Sequence, residues 1–459
     1  MTASEAVTQD QIPRLNAIAE YFRFVERGTN FTTEIRAGLT TFIVMSYIIA
    51  VNPQILGAAG VPVGAAAAAT ALVAGLLSIA MGIVANYPIA LAAGLGLNAI
   101  VAFQLAGGGA GPLTWQGAMG VIVLEGLVVT ALVVIGLREA VMNAVPTSLK
   151  RAIAVGIGLF ILFIGFFNAD LIVGTTGAVP VQFVFPTTPN AFVALAGLVI
   201  TVALVVRRTP GALILGVVIT TIIALIAGVA QVPATFQATP SFETLFAFDL
   251  FQVFDPVRFT LFAAILVIFT LMLADFFDTM GTATAIGEQA GLTDEEGRLP
   301  SLGRLLLVDS LGAVAGGAAG TSSNTSYIES ASGVAEGGRT GFTAVVVGVL
   351  FLGAIFVSPL VQVVPPEATA PVLIVVGFLM VGLLGGIRFD DIEEGLPALF
   401  ALILMPLTFN ITIGIGAGFI AHVLIKVVRG KLTEVHPLMW AVSLAFVVFF
   451  AQAWINTVI

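Results

Sequence analysis

Twelve apolar runs take up about half of the chain, at about 34–56, 63–84, 115–136, 148–167, 191–206 and 212–230, then at about 260–280, 301–317, 342–360, 370–386, 395–408 and 411–428. Each reads as a crossing of a bilayer, whose hydrocarbon core takes about 20 helical residues. Of the 459 residues, 59% are hydrophobic and 9% are charged, far below the roughly 25% charge of soluble domains. The expected class is therefore an all-α polytopic membrane protein. Two further segments, 88–105 and 321–338, are shorter and broken by Gly and Pro. Each is the third of seven in its half of the chain, so the second lies tenth overall. Short, broken segments at matching positions of two halves are the sequence mark of a transporter's binding site. Seven segments per half is an odd number, so the second half must run inverted to the first, giving about fourteen crossings. One apolar run, 437–455, is left over, as an interfacial helix or a fifteenth crossing.

The stretch 320–341 is the most unusual of these. It lies between two strongly apolar runs, yet it is rich in Gly, Ser and Thr and carries Glu329. Bare backbone and an acid at membrane depth are tolerated where they line a cavity or are packed within protein. Residues 321–326 read as extended or capping backbone and 327–335 as a short half-helix, which would aim free N–H groups at a bound solute. The alternative is a Gly/Ser-rich seam that only lets helix backbones approach closely.

Composition narrows the function. The absence of cysteine excludes disulfides and thiolate chemistry, and two histidines are too few for a His-rich metal site. A net charge of −9 with no basic stripe does not point to nucleic acid. Residues 1–30 are polar and end in mixed charge, so the first apolar run is expected to be a true span. Under the fourteen-segment topology Arg14, Arg23, Arg27, Arg36, Arg138, Lys150, Arg151, Arg207, Arg208, Arg298, Arg304, Arg339, Arg388, Lys426, Arg429 and Lys431 all fall on one side, with Arg258 the exception. The positive-inside rule then makes the N-terminus cytoplasmic. The connection 287–300, with Glu288, Asp294, Glu295, Glu296 and Arg298, reads as solvated on that side.

Several side chains could carry a transport site. Asp275 and Asp278, three apart on the eighth segment, share roughly one helix face. Two carboxylates that close in a low dielectric repel, so one is expected to hold a proton; the other reading is that one caps a helix or pairs with a backbone donor. Asn98 opens the half-helix of the third segment and suits either a heterocycle edge or a helix cap. Glu125 and Asp309 are lone intramembrane acids, read first as interhelical hydrogen-bond partners and second as support for the site. Phe103, Phe276, Phe277 and Tyr327 flank the region and could stack on a planar ligand. No basic residue lies mid-span in these segments, which favours a neutral planar polar solute moving with a proton over an anion.

The stretches Pro88-Ile-Ala-Leu-Ala-Ala-Gly-Leu-Gly-Leu-Asn-Ala99, Ala274-Asp-Phe-Phe-Asp-Thr-Met-Gly-Thr282 and 320–341 resemble the adenine/guanine/hypoxanthine permeases, the AzgA-like branch of the nucleobase–cation symporter-2 superfamily. Glu34-Ile-Arg-Ala-Gly-Leu-Thr-Thr41, Asn52-Pro-Gln54 and Asn410-Ile-Thr-Ile-Gly-Ile-Gly416 match as well, so the likeness runs from about 30 to 430. Leu95 and Ile100 stand where the family pattern has Met and an aromatic residue, and Asn324 adds an amide. These departures bear on which base is taken, not on the family.

The resemblance implies a fold of two inverted seven-segment repeats, 34–231 and 260–430, joined by an extracytoplasmic linker, 232–259. They would be flanked by a cytoplasmic segment, 1–33, and a C-terminal apolar helix, 431–459. It implies a core domain (about 34–136 and 260–362), a gate domain (about 147–231 and 369–430), a homodimer in the inner (plasma) membrane, and elevator-type proton symport of a purine base. By position, Asp275 and Glu329 would face the base, with Asn98, Ala99, Ser326, Tyr327 and Phe276 around it. Asp275, Asp278, Glu329 and Asp309 would carry or support the proton; no cofactor or metal is expected, and sodium stays open as coupling ion. The alternatives are an anion or bicarbonate transporter on the same fold, an intramembrane enzyme, and a non-transporting receptor. The chain carries no H-E-x-x-H, G-x-S-x-G or phosphate-binding loop, which argues against the enzyme.

Overall fold

The computed structural model describes residues 13–107, 111–136, 144–175, 181–234, 236–293 and 299–458. Arg138, and Asp294, Glu295, Glu296 and Arg298 of the 287–300 connection, lie outside these ranges, as does the side chain of Arg14. Backbone that meets no water must bond within its own segment, and the apolar runs accordingly fold as helices. Among the described residues, ten are long and apolar enough to cross a membrane, and Leu95–Leu105, Ala212–Ile226 and Pro437–Ala451 are shorter apolar helices.

The first half opens with α1 (Pro13–Tyr21), followed by α2 (Phe31–Met45) and α3 (Ile48–Gly57), which form one span bent at Ser46–Tyr47. Helix α4 (Val63–Ala80) runs into a π turn, Met81–Ala85. A three-residue strand, β1 (Leu91–Ala93), then leads into α5 (Leu95–Ala99), which widens to a π turn over Ile100–Leu105. Helices α6 (Trp115–Val134) and α7 (Thr147–Asn168) follow, then a small hairpin of β2 (Ile172–Gly174) and β3 (Val181–Phe183), then α8 (Pro189–Val206) and α9 (Ala212–Ile226).

The second half also carries a short strand followed by a short helix. It runs α10 (Leu261–Gln289), α11 (Leu302–Ala319), β4 (Asn324–Ser326), the short α12 (Ser330–Ala335) and α13 (Gly341–Ala354). Then come α14 (Pro366–Val381), α15 (Ile392–Thr408), α16 (Ile411–Val428) and the apolar α17 (Pro437–Val458). Polar residues set several starts. The side chains of Asn30, Thr114, Thr188, Thr260 and Asn410 accept from the backbone N–H three residues on, at α2, α6, α8, α10 and α16, each worth about 1 kcal/mol.

Some elements depart from the apolar runs. Helix α10 continues nine residues beyond the run ending at 280, because Ala283 and Ile286 stay buried and keep the helix packed. The run 342–360 is α-helical only to Ala354 and finishes as a 3₁₀ stretch, Ile355–Val363, around Pro359. The pairing of β1 with β4 has no counterpart in the hydropathy pattern.

Helix α14 lies along α7, and α15 packs on both α7 and α16, with α8 and α9 against α14. In the other group α13 packs on α4 and α2, α11 on α6, and α10 on α6. The broken elements meet within this second group, β1 against α4 and β4 against α10 and α11, while α5 reaches across to α7. Strands β1 and β4 pair antiparallel, Leu91 with Ser326, Ala92 with Thr325 and Ala93 with Asn324. All six residues are buried.

Candidate functional site

A strand pair in the interior of a membrane protein needs every backbone group met, and this one is met from all sides. The N–H of Tyr327 donates to the carbonyl of Ala90 at 2.9 Å and that of Gly94 to Ser323 at 2.8 Å, extending the ladder at both ends. On the outer edge of β1 the Ser78 hydroxyl accepts from the Leu91 N–H at 3.0 Å. On the outer edge of β4, Asp309 Oδ1 accepts from both the backbone N–H (3.0 Å) and the hydroxyl (2.9 Å) of Ser326, while its Oδ2 accepts from Thr279 Oγ1 at 2.6 Å.

The strand reaches α11 closely because two residues carry positive φ, Gly320 at 76° and Ser322 at 66°, folding the chain back on the helix. Gly316 then lies so near that a Cβ there would sit 2.0 Å from the Ser322 carbonyl oxygen. Asn52 on α3 ties down the same turn, donating to Thr70 Oγ1 at 2.8 Å and to the carbonyl of Thr321 at 3.3 Å.

Helix α10 grips β4 through hydroxyls. Ser323 donates to Asp275 Oδ1 at 3.1 Å, and Thr325 donates to Asp278 Oδ2 at 3.2 Å. The strand then turns into α12 through three i→i+3 bonds, Ser330 to Tyr327, Ala331 to Ile328 and Ser332 to Glu329. This turn carries Glu329 to the head of the cavity, where its Oε1 accepts from the Tyr47 hydroxyl at 2.6 Å. Tyr327 is held from the other side, donating to the carbonyl of Ala93 at 2.5 Å.

The cavity these elements enclose measures about 90 Å³. One wall is polar: Glu329, Asp278, Thr282, Ser326 and the rings of Tyr47 and Tyr327. The floor is the start of α5, Gly94 to Leu97, whose first N–H groups have no partner within their own helix. The opposite wall is apolar, Ile157 and Ile161 of α7 with Val376 and Met380 of α14. Gly96 makes this closeness possible, since a Cβ there would meet Ile157 Cγ2 at 2.4 Å. No lysine or arginine lines the cavity.

Of the residues singled out from the sequence, Glu329, Asp278, Ser326 and Tyr327 line this cavity together. Asp275, Asn98, Ala99 and Phe276 are buried beside it without lining it. Asp275 faces Ser323, and Phe276 stands edge-on to Phe277 with centroids 5.6 Å apart. Phe103 likewise packs on Phe409, at 5.7 Å. Asn98 is fully buried, with no hydrogen-bond partner for either amide atom among the described residues. Asp309 lies behind β4, and Glu125 is buried on α6 outside the cavity wall. Tyr47 and Thr282 were not among the sequence candidates. A tyrosine buried inside an apolar span, away from the interfacial belts where tyrosine is usual, was the available signal for Tyr47.

Residues 32–417 match the model of a family described as a permease family. The guanine/hypoxanthine permease PbuG of Bacillus subtilis is 40% identical over 440 residues, covering 94% of this chain and 98% of that protein. The adenine permease AdeP of Escherichia coli is 40% identical over 427 residues, covering 93% and 94%. Among solved structures, the transmembrane domain of a cyanobacterial bicarbonate transporter, BicA, matches with a TM-score of 0.65 at 15% identity, over 84% of this chain and 97% of that one. That likeness is one of fold alone.

Proposed function

The chain belongs to the permease family, and on that premise we propose that it imports purine nucleobases by proton symport. It is a multi-pass membrane transporter and not an enzyme. The observation that carries the substrate is the cavity at the β1–β4 crossing. It combines carboxylates, hydroxyls, free helix-start N–H groups and two tyrosine rings, with no basic side chain. A purine edge offers ring N–H and C=O or ring nitrogen together, which such a wall meets on both counts. An anion would ask for the guanidinium or ammonium that is absent.

In this reading Glu329 takes the ring N–H of the base, and the backbone N–H groups of the α5 start just before Ala99 and of the turn just after Ser326 take its acceptors. Tyr327 lies against the ring, with Phe276 packed behind. Asp275 and Asn98 come into play as the base seats; the unbonded amide of Asn98 supports this, because a buried amide without partners is costly, about 1–3 kcal/mol. Asp278 and Glu329 exchange the proton, with Asp275 and Asp309 as their support.

A volume of about 90 Å³ is small beside the roughly 300–1,000 Å³ of ordinary small-molecule sites. The apolar wall on α7 and α14 must therefore draw back for a bicyclic base to enter. Alternating access follows as an elevator movement of a core (34–136 and 260–362) against a gate (147–231 and 369–430). The antiparallel crossing of two broken segments at corresponding places supports two inverted repeats of seven. The working unit is a dimer with cytoplasmic N-termini, in the plasma membrane.

The test is uptake of radiolabelled hypoxanthine into proteoliposomes with and without an inward proton gradient, competed by adenine, guanine, xanthine and uracil. Accumulation that needs the gradient is expected, with purines competing and uracil not. Uptake that follows sodium and ignores pH would replace the coupling ion. Absence of binding by any purine would overturn the reading.

A further inference from the structure

A second cavity, of about 540 Å³, opens just past the C-terminal end of α4, where the N-terminal segment after α1 meets the starts of α11 and α13. Four arginines from three distant parts of the chain line it: Arg23, Arg27, Arg304 and Arg339. The single acid in its lining, Glu26, faces Arg23 at 3.6 Å with both side chains largely in solvent, a contact worth little. Among the described residues, no carboxylate forms an ion pair with Arg27, Arg304 or Arg339.

Two of these guanidinium groups are fixed rather than free. Arg27 donates from one nitrogen to the carbonyls of Asn86 at 2.6 Å and Arg339 at 2.8 Å. Arg339 donates from one nitrogen to the carbonyls of Val334 at 2.7 Å and Gly338 at 2.8 Å. Each uses one nitrogen in this way, so its remaining N–H groups stay available. Burial also pulls the pKa of Arg27 below its ordinary value, so a counter-charge in the cavity would be favoured. The rim adds a second kind of surface. Ile83 and Val84, at the end of a membrane-spanning helix, line the same cavity and are 45% and 42% exposed.

Preoriented guanidinium forks beside an apolar edge suit one chemistry. Guanidinium meets phosphate oxygens with paired hydrogen bonds. Basic pockets between helices at the cytoplasmic membrane boundary are places where anionic headgroups are held. We propose that this cavity binds a phosphate ester, with the arginines on the phosphate and, where the ester is a lipid, its acyl chain along Ile83 and Val84. The site is separate from the base cavity and does not depend on which solute is carried.

Binding can be measured on the purified full-length protein in detergent, by native mass spectrometry and thermal unfolding, with no base present. The probes are phosphatidylglycerol, phosphatidylcholine and glycerol 1-phosphate. Phosphatidylglycerol is expected to bind at least tenfold tighter than phosphatidylcholine and to raise the unfolding temperature. Arg23→Gln combined with Arg304→Gln should remove that preference, because both side chains are exposed and neither holds the fold; their lipid-free unfolding temperature should match the wild type. Arg304→Glu should abolish binding. Displacement by glycerol 1-phosphate at similar concentrations would assign a soluble ester as the natural source. Failure of that displacement, with phosphatidylglycerol still bound, would assign the lipid. Equal binding of the two lipids, or phosphatidylglycerol binding untouched by the double variant, would overturn the proposal. So would binding that appears only once Asp294, Glu295 and Glu296 are neutralised.

Discussion

Tyr47 donates a hydrogen bond of 2.6 Å to Glu329 inside the cavity, and this bond separates two effects that a single substitution at Glu329 would merge. Glu329→Gln keeps an oxygen that can accept from Tyr47, so the local fold should persist, but it replaces an acceptor-only group by one that also donates. Hypoxanthine binding should fall by 100-fold or more, on the order of 3 kcal/mol, with the unfolding temperature retained; calorimetric titration in detergent measures the first and a thermal scan the second. Tyr47→Phe keeps the ring and loses the donor. A hydrogen bond to a charged group is worth about 1.5–3 kcal/mol, so a tenfold or greater loss of affinity is expected, smaller than that of Glu329→Gln. An affinity unchanged by Tyr47→Phe would mean the base never draws on this pair. Asp278 tests the proton. Asp278→Asn preserves the acceptor for Thr325, now at 3.2 Å, but cannot gain or lose a proton. Exchange of external for internal base should survive, while gradient-driven accumulation should drop by about tenfold or more. Full accumulation in this variant would move the coupling site elsewhere.

Among the elements, the β1–β4 crossing depends on how closely a strand can lie on α11. Gly316→Ala would place a methyl 2.0 Å from a backbone carbonyl and 2.3 Å from Asn324 Nδ2, a side-chain amide pinned by its hydrogen bonds to Thr321 Oγ1 and the Ser322 carbonyl, each at 3.1 Å. Overpacking of this kind costs about 1–3 kcal/mol, and β4 carries the cavity wall with it. A lowered unfolding temperature and loss of uptake are expected together. Gly303→Ala, on the same helix with nothing within 4 Å, should leave both unchanged. How much of this was legible in the sequence follows from the range of the forces. The apolar runs and the polar, glycine-rich interruption 320–341 are local, so the spans, the extended 321–326 and the short helix after it could be read directly. Asp275, Asp278 and Glu329 stood out because acids at membrane depth are rare. The strand pair could not be read, since it joins residues more than 230 apart in the chain, Leu91 with Ser326 through Ala93 with Asn324, and three residues of β conformation carry no periodicity. The same reason hid Ser78 and the clamp made by Asp309. Aromatic residues are hard to read for another reason: a ring in an apolar span packs against whichever neighbour the fold supplies, as Phe103 does on Phe409 and Phe276 on Phe277.

For the molecule as a whole, the proposed cycle requires the side bearing β1, β4 and α5 to move against α7 and α14, and the approach of α5 to α7 lies across that boundary. A Cβ built at Gly96 would stand 3.7 Å from the Cβ of Ile157, within the roughly 3.5–4.5 Å that a disulfide spans. Replacing Ile157 also removes the Cγ2 atom that a side chain at position 96 would strike, so Gly96→Cys with Ile157→Cys is sterically self-consistent. The chain has no cysteine of its own, so the introduced pair would be the only thiols present. Oxidation should lock the closed contact between the start of α5 and α7 and stop hypoxanthine uptake, and reduction should restore it. Saturating base should slow formation of the bond, because a seated purine must part the two walls. Ile157→Cys alone controls for oxidation of a single thiol, and Gly96→Ala with Ile157→Ala, which also removes the Cγ2 atom, controls for the change in packing; each should behave the same whether oxidised or reduced. Wild-type transport by the quantitatively cross-linked protein would show that the two sides travel together, and the barrier to the base would then have to lie in side chains or in the short helices rather than in a movement of one domain past the other.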